Sequence, residues 1–263
     1  MMMKHGFFSF HIVDQSPWPI FVSSSIFLLM INSLELFMFK NLSDSFYISI
    51  LFFFLSIYGW GRDISMEGFL QGSHTLLVQK GLKMGMVLFI TSEVFFFLSF
   101  FWTIFYYSIS PAPDVGGWPP TGVQSIDPMG APLLGTLILI SSGMSITWSH
   151  HATMEGNKTS SIISLVITIL LGGIFSLLQL SEYYNSSFSM ADSCFGSIFY
   201  MSTGFHGVHV ILGSTLLAIC LYRLTANHFS SSHHLGYEAS IWYWHFVDVV
   251  WLFLYVCMYW WSK

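Results

Sequence analysis

Seven apolar stretches of this sequence are candidates to cross a lipid bilayer: Trp18–Phe39, Ser45–Trp60, Leu82–Tyr107, Leu133–Trp148, Ser160–Gln179, Phe195–Tyr222 and Ala239–Trp260. A helix needs about 20 apolar residues to span a hydrocarbon core of roughly 30 Å. The other spanning architecture is a closed barrel, whose strands alternate apolar and polar residues. The runs Ile48 to Leu55 and Val94 to Phe101 do not alternate. The pattern therefore predicts an all-α integral membrane protein, with seven transmembrane helices forming a single transmembrane domain over residues 1–263. The second run is short unless it continues past Arg62. Ser16 and Pro17 punctuate the first, as a capping hydroxyl and a residue whose missing N–H costs little there.

Charged residues make up 8% of the 263 and hydrophobic ones 54%, against about 25% charged in a soluble domain. So few charges cannot cover a water-facing surface, which excludes a soluble enzyme, a nucleic-acid binder and a disordered tail. Eight Lys+Arg against thirteen Asp+Glu, a net charge of −5, leaves no basic patch for an anionic partner. Cys194, Cys220 and Cys257 form no CxxC pair, so the reading is of small buried hydrophobes rather than metal ligands. Met1–Phe10 lacks the apolar core of a cleavable signal peptide.

The basic residues predict direction. With seven spans, one side holds Lys4, Arg62, Lys80, Lys83, Lys158 and Arg223, and the other only Lys40 and Lys263, with Asp114, Asp127 and Asp192 in its loops. Six against two places the N-terminus inside and the C-terminus outside. Trp60, Trp118, Trp148, Trp242, Trp260 and Trp261 fall near the predicted interfaces, where amphipathic rings collect. The Pro111–Pro120 run breaks any helix and predicts an ordered external loop.

Polar residues inside the spans are the candidates for function. Glu93 lies eleven residues beyond Leu82, about 16 Å into the membrane at 1.5 Å per residue. An ionised carboxylate there costs several kcal/mol, which predicts protonation or pairing; a proton-pathway residue and a neutral acid bonding a neighbouring helix both fit. His206 and His209 share one helix face, as do His245 and Asp248. They read as a histidine–aspartate cluster joining the last two helices, or as a metal site. No Glu-x-x-His occurs in the chain, which removes the di-iron carboxylate bundle. A third set gathers at the inner interface: Arg62, Asp63, Glu67, His74, Lys80, Arg223, His228, His233 and His234. Solvated snorkelling charge and a lipid head-group site both account for it.

Several motifs are specific. They include Ser16-Pro17-Trp18-Pro19, Gln71 to His74, Phe100-Phe101-Trp102, Gly116-Gly117-Trp118-Pro119-Pro120-Thr121-Gly122 and Ser145-Ile146-Thr147-Trp148-Ser149-His150-His151. Thr203-Gly204-Phe205-His206-Gly207-Val208-His209, Trp242-Tyr243-Trp244-His245-Phe246-Val247-Asp248 and the ending Tyr259-Trp260-Trp261 complete them. Through these, essentially end to end, the chain resembles cytochrome c oxidase subunit III of the haem–copper terminal oxidases. The resemblance implies a component of the complex, built with subunits I and II and accessory subunits, that reduces oxygen with electrons from cytochrome c and pumps protons. The short chain without soluble domains fits the mitochondrial inner membrane, with a bacterial plasma membrane as the alternative. The resemblance implies that this chain holds no haem, copper or other metal, since these reside in subunits I and II, and that it has no catalytic residue of its own. Its part would be to support subunit I, proton uptake, assembly and bound phospholipid. It also implies that the first two helices splay from the other five around a lipid-filled cleft. By the same resemblance Arg62, Glu67, His74 and Arg223 are lipid contacts, with Trp60, His228 and His233 beside them, and Glu93 is the membrane-embedded acid. Two positions depart from the family pattern: Gly61 stands where a second tryptophan is usual, and Met66 where a basic residue often occurs. A secondary transporter would show inverted repeats, and a seven-helix receptor would place its N-terminus outside; neither fits.

Overall fold

The computed structural model describes residues 10–40, 43–111 and 116–263. Lys4, most of Met1–Phe10 and the Ala112–Val115 part of the proline-rich loop lie outside the described residues. Seven helices follow one another: α1 Trp18–Phe39, α2 Asp44–Phe69, α3 Leu76–Ile109, α4 Ala131–Met154, α5 Lys158–Asn185, α6 Cys194–Thr225 and α7 Leu235–Leu254, the last continued by a π-helical turn, Tyr255–Trp260. All seven are long and apolar enough to span a membrane, and among the described residues there is no strand.

The first helix keeps the bounds of its apolar run, and the other six outrun theirs. α2 runs nine residues past Trp60, carrying Arg62, Asp63 and Glu67 within it. α3 begins six residues before Leu82, and its 34 residues make about 51 Å at 1.5 Å per residue. Apolarity marks only the hydrocarbon, whereas the backbone keeps its hydrogen-bond ladder until turn chemistry interrupts it. Interruption comes at left-handed residues: Lys40 (φ 49°), Gly72 (φ 64°), Gly156 (φ 78°) and Asn227 (φ 60°). Starts are capped by side chains, Asn157 accepting from Ser160 N at 3.2 Å and Ser193 from Gly196 N at 3.2 Å.

The chain groups into two compact units, Met1–Leu82 and Lys83–Lys263. In the first, α1 packs on α2. Trp18 Nε1 donates to Asp63 Oδ2 at 2.5 Å, and Asn32 bonds Ser45 through both ends of its amide, at 3.2 and 2.9 Å. Gly59 leaves the room that the Trp18 ring fills.

In the second, α4 presents Ser142, Ser145, Ser149 and Thr153 as one stripe of small hydroxyls, which lets neighbouring backbones approach. Ser145 meets Thr168 of α5 at 2.7 Å, Ser149 donates to Ser161 O at 2.7 Å, and Thr153 meets Ser161 at 2.6 Å. α7 closes the seam, with Tyr237 OH donating to Ser149 at 2.5 Å and Trp244 Nε1 to Ser142 at 2.9 Å. Interhelical bonds of this kind contribute about 0.6 kcal/mol each in membranes, so the seam aligns helices while the aromatic core supplies most of the contact. Phe175 and Trp251 stand edge to face at 4.7 Å beside fully buried Trp244. In the described part of the α3–α4 connection, Trp118 packs edge-on against Phe195 at 5.3 Å, and Tyr255 OH donates to Pro128 O at 3.2 Å. Cys220 and Cys257 are buried as expected, but Cys194 is exposed, because it opens α6 at a helix end rather than inside an apolar run.

Candidate functional site

Glu93 sits in the middle of α3, seventeen residues from Leu76 and sixteen from Ile109 (93 − 76 and 109 − 93). Its Oε2 lies 2.8 Å from Nε2 of His209 on α6, so the acid is paired across helices. The other imidazole nitrogen, Nδ1, lies 2.6 Å from Phe205 O. A carbonyl only accepts, so Nδ1 carries a proton. The Nε2–Oε2 contact then holds one further proton, on nitrogen or on oxygen, and the pair is neutral overall. Phe96, Phe97, Tyr243 and Phe246 ring His209 with centroids 5.1–6.4 Å away. Among these rings an unpaired charge would be costly, and the contact leaves neither the acid nor the base without a partner.

The expected cluster between His206, His209, His245 and Asp248 does not form. Among the described residues no hydrogen bond joins the first pair to the second. His206 Nε2 donates to Val247 O at 3.2 Å, a link from α6 to the α7 backbone. His245 and Asp248 face one another on α7 at 4.0 Å, against Gly143 of α4. His206 and His209 share a face of α6 but reach different neighbours: His206 engages the α7 backbone, whereas His209 is taken by the acid on α3.

The residues expected at the inner interface divide between the units. In the first, Arg62 grips Asp63 Oδ1 with Nε at 3.1 Å and Nη2 at 3.0 Å, while its side chain stays 61% exposed. Asp63 is thus held by Trp18 on one oxygen and Arg62 on the other. Trp60 is partly exposed two residues earlier, and Glu67 and His74 lie where α2 gives way to α3.

In the second unit, Arg223 is in the last turn of α6, where a cation suits the helix dipole. Its guanidinium lies over the Phe229 ring at 4.5 Å, in space left by Gly236, where a Cβ would stand 3.0 Å from Nη1. Its Nε is buried without a hydrogen-bond partner among the described residues. His228 caps the helix through its backbone N–H to Arg223 O at 2.9 Å, and His233 N donates to Ser230 Oγ at 2.9 Å. Lys158 closes the same end by donating to Thr225 O at 2.8 Å and Asn227 Oδ1 at 2.6 Å.

Among the described residues two groups carry donors close enough for one metal ion: His11, Glu67 and His74 in the first unit, and His150, His234 and Glu238 in the second. In the latter, His234 Nδ1 donates to Ser230 O at 3.0 Å, which turns Nε2 toward His150 Nε2 at 3.3 Å. Glu238 already holds the Lys83 ammonium at 2.5 Å. Sequence reading passed over Glu238, Lys83 and His11 in these roles. The i,i+4 spacing of His234 and Glu238 was the available signal. A further missed residue is Glu182 of α5, which accepts from Tyr259 OH at 2.6 Å in the interior.

The chain matches the family model described as cytochrome c oxidase subunit III over residues 8–263. It is 52% identical to cytochrome c oxidase subunit 3 of Lemur catta over 99% of this chain and 95% of the relative. It is 52% identical to that of Carassius auratus and 53% to that of Oryctolagus cuniculus, each over 99% of this chain and all of the relative. With seven spanning helices and a match from one end to the other, the chain belongs to the cytochrome c oxidase subunit III family.

Proposed function

We propose that the chain is the redox-free core subunit of the oxidase, packed against subunit I in a complex whose subunits I and II hold the haem and copper, and that it supports proton uptake and retains phospholipid. Membership of the family makes it part of a multi-subunit oxidoreductase. The vertebrate relatives and the seven apolar helices support a multi-pass protein of the mitochondrial inner membrane. The observation that carries the reading is the family match across residues 8–263. The engagement of His209 at both nitrogens supports a structural pair over an iron ligand. The six-to-two basic split supports an N-terminus in the matrix and a C-terminus in the intermembrane space.

Phospholipid head groups are assigned to Trp60, Arg62, Glu67 and His74 in the first unit and to Arg223, His228 and His233 in the second. Arg62 retains outward donors beyond those given to Asp63, and a guanidinium offers phosphate a two-pronged contact. Attraction at head-group depth is worth about 1 kcal/mol per basic residue. The test is purification through a tag on this chain from mild detergent. Haem should copurify in fixed stoichiometry with the chain, together with bound phospholipid; a chain recovered alone and haem-free would refute the assignment.

A further inference from the structure

His11 precedes α1, Glu67 lies in the last turns of α2, and His74 lies in the connection to α3. Fifty-six residues separate His11 from Glu67 (67 − 11), yet one donor atom from each lies within 4.8 Å of the other two. The convergence is built by the backbone. Gly72, at φ 64°, reverses the chain after α2. Ser73 N then donates to Glu67 O at 3.2 Å, and Gln79 Nε2 donates to His74 O at 2.9 Å. The first bond brings the connection back onto the end of α2, and the second ties residue 74 to the start of α3. Gly68 supplies the space: a Cβ there would lie 2.7 Å from His74 Nδ1, so the ring sits directly against α2. The His11 ring meets it edge to face, centroids 6.1 Å apart.

We propose that His11, Glu67 and His74 bind a borderline divalent transition-metal ion such as Zn2+, pinning the segment before α1 to the α2–α3 connection. Two imidazoles and one carboxylate suit that class, whereas Ca2+ and Mg2+ take oxygen ligands. Donors on a tetrahedral Zn2+ lie about 2.0–2.2 Å from the ion, which puts them roughly 3.3 Å from one another. The three side chains close from 4.8 Å by small rotations, since all are half-buried rather than packed in the core. Three protein ligands leave a fourth position for water, so the ion exchanges with solvent. The His150, His234 and Glu238 group is the weaker competitor, because the Lys83 ammonium on Glu238 repels a second cation.

The assignment goes beyond the lipid reading, which shares Glu67 and His74 with it but not His11. The experiment uses the purified oxidase complex with His150→Ala in this chain, so that only one group is complete. The complex is stripped with chelator and titrated with 65Zn2+ by equilibrium dialysis. One tight zinc per complex is expected beyond those retained by other subunits, with affinity reduced at least tenfold by His11→Ala and by His74→Ala. X-ray absorption at the zinc edge should report two imidazoles and one carboxylate. Unchanged zinc affinity in His11→Ala overturns the proposal, as does a zinc edge lacking histidine. The lipid reading is decided separately, by the phosphorus content of Arg62→Ala, which zinc binding at His11 does not affect.

Discussion

Glu93 and His209, 116 residues apart, meet at 2.8 Å in the middle of α3 and α6, and their contact holds one proton between an acid and a base. In Glu93→Gln the amide can donate to the same nitrogen, so the complex should assemble, with stability reduced by no more than about 1 kcal/mol. Glu93→Ala leaves a buried imidazole nitrogen unsatisfied and should cost about 1–3 kcal/mol. Thermal unfolding of the detergent-solubilised complex distinguishes the two. Equal losses would mean that the hydrogen bond contributes nothing.

Gly172 and Gly213 flank Trp244, where added Cβ atoms would stand 2.6 and 2.9 Å from its ring. Gly172→Ala and Gly213→Ala should each destabilise the second unit by about 1–3 kcal/mol through overpacking. In Gly172→Ala the loss should shrink when Trp244 is also reduced to Phe. Additive losses in the double variant would show that the ring is not what the methyl group meets.

Arg62 makes a two-pronged contact with Asp63, which Trp18 also holds. Lysine cannot reproduce that fork. Arg62→Lys should therefore loosen α1 against α2, read as faster proteolysis near Lys40, while lowering the phospholipid count less than Arg62→Ala does. Equal lipid loss in both variants would show that the fork to Asp63, rather than the cation, governs lipid retention.

Orientation can be read by labelling. Ser262 is buried and bonds Met258 O, so the probe belongs at exposed Lys263. In a Cys194→Ser background, Lys263→Cys should react with an impermeant maleimide from the intermembrane-space side of sealed membranes. Labelling from the matrix side alone would overturn the six-to-two reading of the basic residues.

The seven spans and the need of Glu93 for a partner were legible because hydropathy and a lone carboxylate are local signals. The partner of Glu93 was not, since the sequence places His209 beside His206 and says nothing about which face of α6 meets α3. Helix ends were underestimated for a related reason. Arg62, Asp63, Gln79 and Lys80 interrupt apolarity but not helicity, and the true stops lie at Gly72, Gly156 and Asn227. The convergence of His11 on Glu67 and His74 was hidden because it depends on how a connecting turn folds back.

The most direct test of a redox-free subunit is to release this chain from purified oxidase with detergent and record reduced-minus-oxidised spectra of both fractions. All haem absorbance should remain with the depleted complex, at an unchanged ratio to its protein. Haem bound to the released chain, or lost in proportion to its removal, would show that the chain carries or holds a redox centre.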